Sequence, residues 1–535
     1  MKKTVIAAAL TVLSCLIGCA QGEPVKTDGK DIVKTTSDSY PLDTDVTLKY
    51  WCALNSNISA YASSLSETRF AEYIEEATGV KLEFIHPAAN QQTEKFNLMI
   101  ASMDLPDIVE YKWLTYSGGP QKAIDSGIIL PLNGYMEAGI VPNLKRTLDE
   151  REDVKKLVQT NEGSFFCFPF IYGDESLQTS TGFIIREDLL DKAGLEMPVT
   201  LEDWEKALAA FKSMGVDTPL NLRLTTQHVK NISPFTSFFG FITDIYVENG
   251  KVKCGCYEPV YKEYLEMINR WYENGWLDKE FSNSDTKRIS AGIINGDIGA
   301  TFCMAGSEYG VWYSQFAEAN PEGRLSAVQY PSARVGETPM YGQKNLPVAE
   351  NGMAVVTTAC ENPEIAMRFL DYGYSAEGNR LYNFGKEGES YELADGRPVY
   401  KADLFDSKKN GGLSASQAMS KYMRSIDSGP FVQDPEYRKQ YMSEEYLQNA
   451  INLWSDTNAL TYKLPYLYLD ETDSKTYSQL MTDIETYTIE KMCKFIMGKE
   501  SLDTFDSYRA ELKSMGIEQI IEIEQKAYDA YLTKK

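Results

Sequence analysis

The chain has 535 residues, more than one ordinary domain holds, and 43% of them are hydrophobic, enough for sizeable cores. A net charge of −24 excludes a protein built to neutralise nucleic-acid phosphates and disfavours polyanionic ligands in general. Two histidines, His86 and His228, are too few for a multi-histidine zinc site and leave two candidate bases for Ser-His-Asp chemistry. Tyrosine is in surplus, at 34 against 22 Phe and 7 Trp, and its apolar body and polar tip suit wet binding surfaces.

Met1, Lys2 and Lys3 form a short positive segment, followed by the uncharged, mostly apolar run Val5 to Gly18. A membrane span needs about 20 such residues, so residues 1–18 read as a secretory signal. The run ends Leu16-Ile17-Gly18-Cys19, which resembles the lipobox of bacterial lipoproteins. That resemblance implies cleavage before Cys19 and lipid (a diacylglycerol, with palmitate-type chains) on its thiol. Val12-Leu13-Ser14-Cys15 competes more weakly, because cleavage there leaves a shorter apolar run. The expected location is the extracellular face of the cell membrane, held by lipid rather than by charge. Residues 19–42 are polar and irregular and read as a lipidated flexible tether. No later stretch is long and apolar enough to span a bilayer.

With Cys15 removed and Cys19 lipidated, seven scattered cysteines remain, which is no disulfide framework. Among them Cys254-Gly255-Cys256 reads as a strand end or turn, with a metal or redox pair as the alternative.

Val46 to Trp51 alternates as a first strand. Phe70, Tyr73, Ile74 and Ala77 follow at helical spacing, and Gly79 is placed to end that helix. Val80, Leu82 and Phe84 predict a second strand, Phe96 to Met103 a helix, and Ile108 to Tyr111 a third strand. This alternation points to α/β with a mainly parallel sheet, whose ligands bind beyond the strands' carboxyl ends. Thr200 with Asp203 approaches a capping box for a helix burying Trp204, Ala207, Leu208 and Phe211. Asn362-Pro363 opens a helix with the stripe Ile365, Phe369 and Tyr372, and two helical patterns close the chain.

Several segments together resemble the family 1 extracellular solute-binding proteins of ABC importers, in particular the large carbohydrate-binding lipoproteins of Gram-positive bacteria. They include Met99 to Ile108 (MIASMDLPDI), Ser126 to Leu132 (SGIILPL), Phe183 to Leu190, Pro198 to Trp204, Asn295 to Ala300 and Pro363 to Asp371. Ser375 to Gly378, Tyr382 to Gly385 and Glu387-Gly388 extend the last of these. Glu187 departs from the pattern, which usually has lysine there.

The resemblance implies a periplasmic-binding-protein-like fold: two α/β lobes with a ligand cleft between them. By analogy lobe one takes residues 43–165 with 349–405, and lobe two takes 166–348 with 406–535. The implied function is capture of an oligosaccharide and its delivery to the transmembrane subunits of an ABC permease. The implied protein is a monomer and not an enzyme, with no cofactor, metal or catalytic residue and no nucleic-acid partner. A surface glycan-degrading enzyme is one alternative, since two placed carboxylates suffice for that chemistry. Another is a nutrient-binding lipoprotein for a peptide or other non-sugar ligand. The acidic stretch Asp278 to Asp285 lacks the loop glycine and final glutamate of an EF-hand.

Sugars offer apolar C–H faces to aromatic rings and hydroxyl edges to polar side chains. Candidates are therefore aromatics off helical stripes. Trp204, Trp271 and Trp276 are assigned to core or cap packing, which leaves Trp51, Trp113, Trp312 and Trp454. Tyr116, Tyr172, Asp174, Arg223 and Glu308 are their polar neighbours on predicted loops. Arg186 is read as a structural ion-pair partner of the acids that follow it.

Overall fold

The computed structural model describes residues 32–223, 233–283, 285–424 and 428–534. In chain order its strands are β1 (Thr47–Trp51), β2 (Lys81–Ile85), β3 (Ile108–Tyr111), β4 (Phe168–Tyr172), β5 (Thr181–Arg186), β6 (Thr218–Asn221) and β7 (Ile245–Glu248). They continue with β8 (Lys251–Cys254), β9 (Ile298–Met304), β10 (Leu325–Val328), β11 (Val348–Val356), β12 (Tyr391–Ala394), β13 (Arg397–Tyr400) and β14 (Val432–Gln433). Two sheets organise two lobes. Lobe one holds six strands in the order β14-β4-β11-β3-β1-β2, and lobe two holds four in the order β10-β5-β9-β6. Two short hairpins, β7-β8 and β12-β13, lie outside them.

Each sheet has one strand against the grain. In lobe one β11 is antiparallel to both β3 and β4, while β1-β2, β1-β3 and β4-β14 are parallel. In lobe two β5 is antiparallel to β9 and β10, while β6 and β9 are parallel. The reversed strands are those that begin just after the chain crosses between lobes. A chain that leaves one sheet at a carboxyl end and enters the other from the same side must run away from that side. The carboxyl ends of most strands in both sheets, and the amino ends of β5 and β11, therefore face one common cleft.

Each lobe has its own core. Lobe one packs Trp51, Phe70, Phe96, Trp113, Phe168, Phe369 and their neighbours, and lobe two packs Phe183, Trp204, Phe211, Trp271, Trp312 and Trp454. Local signals read from the sequence hold. The helix Arg69–Thr78 ends before Gly79, and the helix Leu201–Ser213 opens on a capping box between Thr200 and Asp203. Arg186 forks onto Asp188 at 2.7 and 2.8 Å, while Glu187 pairs with Arg324 instead. Both nitrogens of His86 are structural: Nδ1 donates to Cys52 O and Nε2 accepts from Leu65 N–H. Burial lowers its pKa, which keeps the ring neutral. His228 and Cys19 lie outside the described residues.

Three expectations change. β4 belongs by pairing to the six-stranded sheet, so lobe one extends past residue 165. β14 and Arg424, from the stretch assigned to lobe two, also belong to lobe one. Arg424 reaches the buried Glu110 of β3 at 2.7 Å, and Glu110 also accepts from Tyr50 Oη at 2.6 Å. The third change is at the tether, because residues from 34 onward dock on lobe one along the helix Pro363–Tyr372. Thr35 and Thr36 donate backbone and hydroxyl hydrogens to the Glu364 carboxylate at 2.6–3.1 Å. Arg368 donates to the carbonyls of Ser37 and Asp38, with its guanidinium 4.7 Å from the centre of the Tyr40 ring. Polar residues that bond to a folded surface have the same composition as polar residues in water, so composition could not reveal the strap. Among the described residues no helix is long and apolar enough to cross a membrane.

Candidate functional site in the interlobe cleft

Three connected cavities of about 580, 540 and 740 Å³ surround the segment 459–467, each within the range that small ligands occupy. The first and second share Asp244, Ile245 and Leu464, the first and third share Lys463, and the second and third share Pro465. The first lies at the carboxyl end of β9 (Phe302 to Met304), beside Thr181 at the start of β5 and Arg223 just beyond β6. The second joins the loop after β3 (Leu114 to Tyr116) and Glu350 of β11 to Tyr477 and Met481 of the helix Glu471–Ile496. This cavity has a wall from each lobe. It lies at the crevice where α/β sheets place their ligands.

Half-buried tyrosines line the cleft: Tyr341 and Tyr462 in the first cavity, Tyr116, Tyr466 and Tyr477 in the second. Each offers part of an apolar ring and a hydroxyl, the two contacts a sugar ring needs. Tyr466 Oη is tied to Val348 O at 2.7 Å, which aims its ring. Burial pushes the Tyr116 phenol up, so it is neutral at physiological pH.

The cleft's cations are committed to the protein. Arg223 forks onto Glu308 at 2.7 and 2.8 Å, and Glu308 also accepts from Met304 N at 2.8 Å. Lys344 pairs with Glu175 at 3.0 Å, and Lys463 Nζ donates to Lys344 O at 2.6 Å. The second cavity carries Asp244, Glu350, Glu485 and Glu524. Burial raises the Glu524 carboxyl pKa, against the opposing hydrogen bond from Tyr477. Amides supply a crossing-segment network: Gln343 Oε1 accepts from Ser180 N at 2.8 Å, its Nε2 donates to Asn345 Oδ1, and Asn345 donates to Tyr172 Oη.

The site residues expected from sequence fall into three groups. Tyr116, Arg223 and Asp174 line the cavities, Asp174 at the edge of the third, where it caps the turn at Ser176. Tyr172 and Glu308 are buried one layer back, holding Asn345 and Arg223. The four tryptophans are core. Trp51 packs on Phe96 and Tyr111 in lobe one. Trp113, fully buried beside Phe96, donates to Val109 O at 3.2 Å. Trp312 donates to Ser290 Oγ at 2.8 Å. Trp454 donates to Val328 O at 3.2 Å and lies so close to β5 that a Cβ on Gly182 would sit 2.2 Å from its ring. An indole has a single donor, which one protein acceptor satisfies at Trp113, Trp312 and Trp454, and all four rings are buried.

The fold and cleft meet a matching family. The family model described as bacterial extracellular solute-binding protein covers residues 69–384. The chain belongs to that family. It is a solute-binding protein of extracellular type, and not an enzyme. Among its relatives is the fructooligosaccharide ABC transporter substrate-binding protein FusA of Streptococcus pneumoniae, 25% identical, with 93% of each chain covered. Lipoprotein LipO of Bacillus subtilis is 22% identical over 85% of this solute-binding protein and 88% of LipO. In fold it is similar to an HMO-binding, ABC-transporter-associated solute-binding protein from Bifidobacterium longum infantis. There the TM-score is 0.72 and the identity 18%, with 92% of this chain and 100% of that one covered. The fold is periplasmic-binding-protein-like, as expected.

The sequence missed Tyr341, Tyr462, Tyr466 and Tyr477. The tyrosine surplus was their signal, but several tyrosines on helical stripes masked it. The crossing segments 341–345 and 459–467 have no periodicity to mark them.

Proposed function

We propose that this solute-binding protein captures a neutral oligosaccharide in the interlobe cleft and delivers it to the membrane subunits of an ABC importer. The observation that carries the reading is the tyrosine-lined cleft, walled by both lobes and lacking an uncommitted cation among its described lining residues. Rings and amides suit neutral sugars, whereas a uronate would meet Asp244, Glu350, Glu485 and Glu524 without a free arginine to offset them. Closure of the lobes around the sugar would form contacts from both walls at once, and the permease would read the closed form. Cys19 is the proposed lipid anchor.

Kestose, a fructooligosaccharide, is the first probe because FusA is named for that class. Titration calorimetry and thermal shift should show binding of kestose or another neutral oligosaccharide, with a melting temperature that rises with its concentration. Binding of uronate oligomers in preference to every neutral one would overturn the proposed class, and release of sugar products would overturn the transport role. Cys19→Ala should move the protein from the membrane fraction to the medium. Retention on the membrane would remove the lipid from the account.

A further inference from the structure

We propose that Cys254 and Cys256 form a reversible disulfide whose state adjusts the wall of the ligand cleft. Their Sγ atoms lie 3.3 Å apart, in contact, where β8 ends and the turn Gly255–Tyr257 begins. Cys52, Cys167, Cys303 and Cys360 are buried singly, and extracellular proteins occupy the compartment in which disulfides persist. Cys254 is buried while Cys256 is partly exposed. The hydrogen bond with Cys256, together with burial, holds the Cys254 thiol well above its ordinary range. Cys256 is therefore the sulfur an external reagent meets, and Cys254 the one that resolves.

The oxidant is a low-molecular-weight disulfide. The Cys256 thiolate attacks one of its sulfurs, forming a mixed disulfide and releasing one thiolate. The Cys254 thiolate then attacks Cys256 Sγ, forming the Sγ–Sγ bond and releasing the second. The two cysteine protons end on the two released thiols, so the protein loses two hydrogens and the reagent is reduced to two thiols.

The turn is fastened to the cleft. Gly255 N donates to Asp244 O at 3.1 Å, Cys256 N donates to Thr243 O at 2.9 Å, and Cys254 stands opposite Ile245 in the β7-β8 register. The Cα of Gly255 is pressed against Ile242, so that an added Cβ would sit 1.6 Å from its carbonyl oxygen. Ile242, Asp244, Ile245 and Tyr246 line the first cavity. The bond would tie the end of β8 to this turn, and the turn's hydrogen bonds would carry the constraint to residues 242–246. The coupling rests on the cleft being the ligand site, but the disulfide does not.

Incubating the whole mature protein with oxidised glutathione tests both parts. Mass spectrometry should show a loss of two hydrogens, mapped to the 254–256 peptide and reversed by reductant. Cys254→Ser should instead accumulate a glutathione adduct on Cys256, and Cys256→Ser should accumulate none on Cys254, the partly exposed Cys493 being mapped separately. Hydrogen exchange at residues 242–246 should change between reduced and oxidised wild type. A wild type that remains a dithiol, or that stops at the adduct, overturns the disulfide. A disulfide that leaves exchange at 242–246 unchanged overturns the coupling. Neither readout requires a sugar, so both are separate from failure of the oligosaccharide reading.

Discussion

The core of lobe two and the cleft beside it are both aromatic, yet tryptophan separates them. The core buries tryptophan at 204, 271, 312 and 454 among its phenylalanines and tyrosines, whereas the half-buried tyrosines of the cleft stand at 116, 341, 462, 466 and 477. Of the core indoles, Trp271, Trp312 and Trp454 each donate to a protein acceptor within about 3 Å, so a large apolar ring is buried without losing a hydrogen bond. A phenol both donates and accepts, and it retains value when half wet. The comparison teaches that an aromatic outside a helical stripe is not thereby a ligand contact.

The largest expected effect comes from Trp312→Ala. Removing this buried ring should cost about 3–5 kcal/mol of stability, read as a lower denaturation midpoint, with the folded fraction binding sugar as before. Weakened binding at full stability would return Trp312 to the cleft. Next comes Asp371, a buried carboxyl in lobe one that accepts from Asn143 and Leu144 N–H. Desolvation pushes it up to about 6, against those donors. A carboxyl whose folded pKa exceeds its unfolded value of about 4 stabilises most when protonated, and that stability is lost as pH rises through the window between them. The difference is on the order of 3 kcal/mol. Denaturation of wild type should show this component between about pH 4 and pH 6, and Asp371→Asn should lack it. An identical pH slope in the variant would place the titration elsewhere.

Gly182→Ala should cost about 1–3 kcal/mol, because the new methyl meets the Trp454 ring. Full stability in that variant would mean that Trp454 is loosely held and closer to a cleft residue than to a core one. The smallest effect is Tyr462→Ala: about 1 kcal/mol of sugar affinity, with stability within about 0.5 kcal/mol of wild type. A large stability loss there would break the distinction between the two kinds of ring.

Much of the fold was legible because its signals are local. Stripes such as Phe70, Tyr73 and Ile74, the Thr200–Asp203 cap and the alternation of β1 and β2 act within a few residues, and all appear where expected. The site was legible only in part. Arg223 and Glu308 were singled out separately, and the structure joins them into one ion pair, with Arg223 on the cavity and Glu308 behind it. The tryptophans misled because a ring that follows a strand can turn into either the core or the cleft, and sequence spacing does not distinguish these.

The sequence by itself determined the α/β class, the family resemblance and the acidic body, because these rest on composition, periodicity and motif order. Tertiary structure alone decided that β4, β14 and Arg424 serve lobe one, that Thr35 and Thr36 strap onto Glu364, and that tyrosines line the cleft. Each of those pairings joins residues far apart in the chain, and only the folded geometry selects between partners of equal local chemistry.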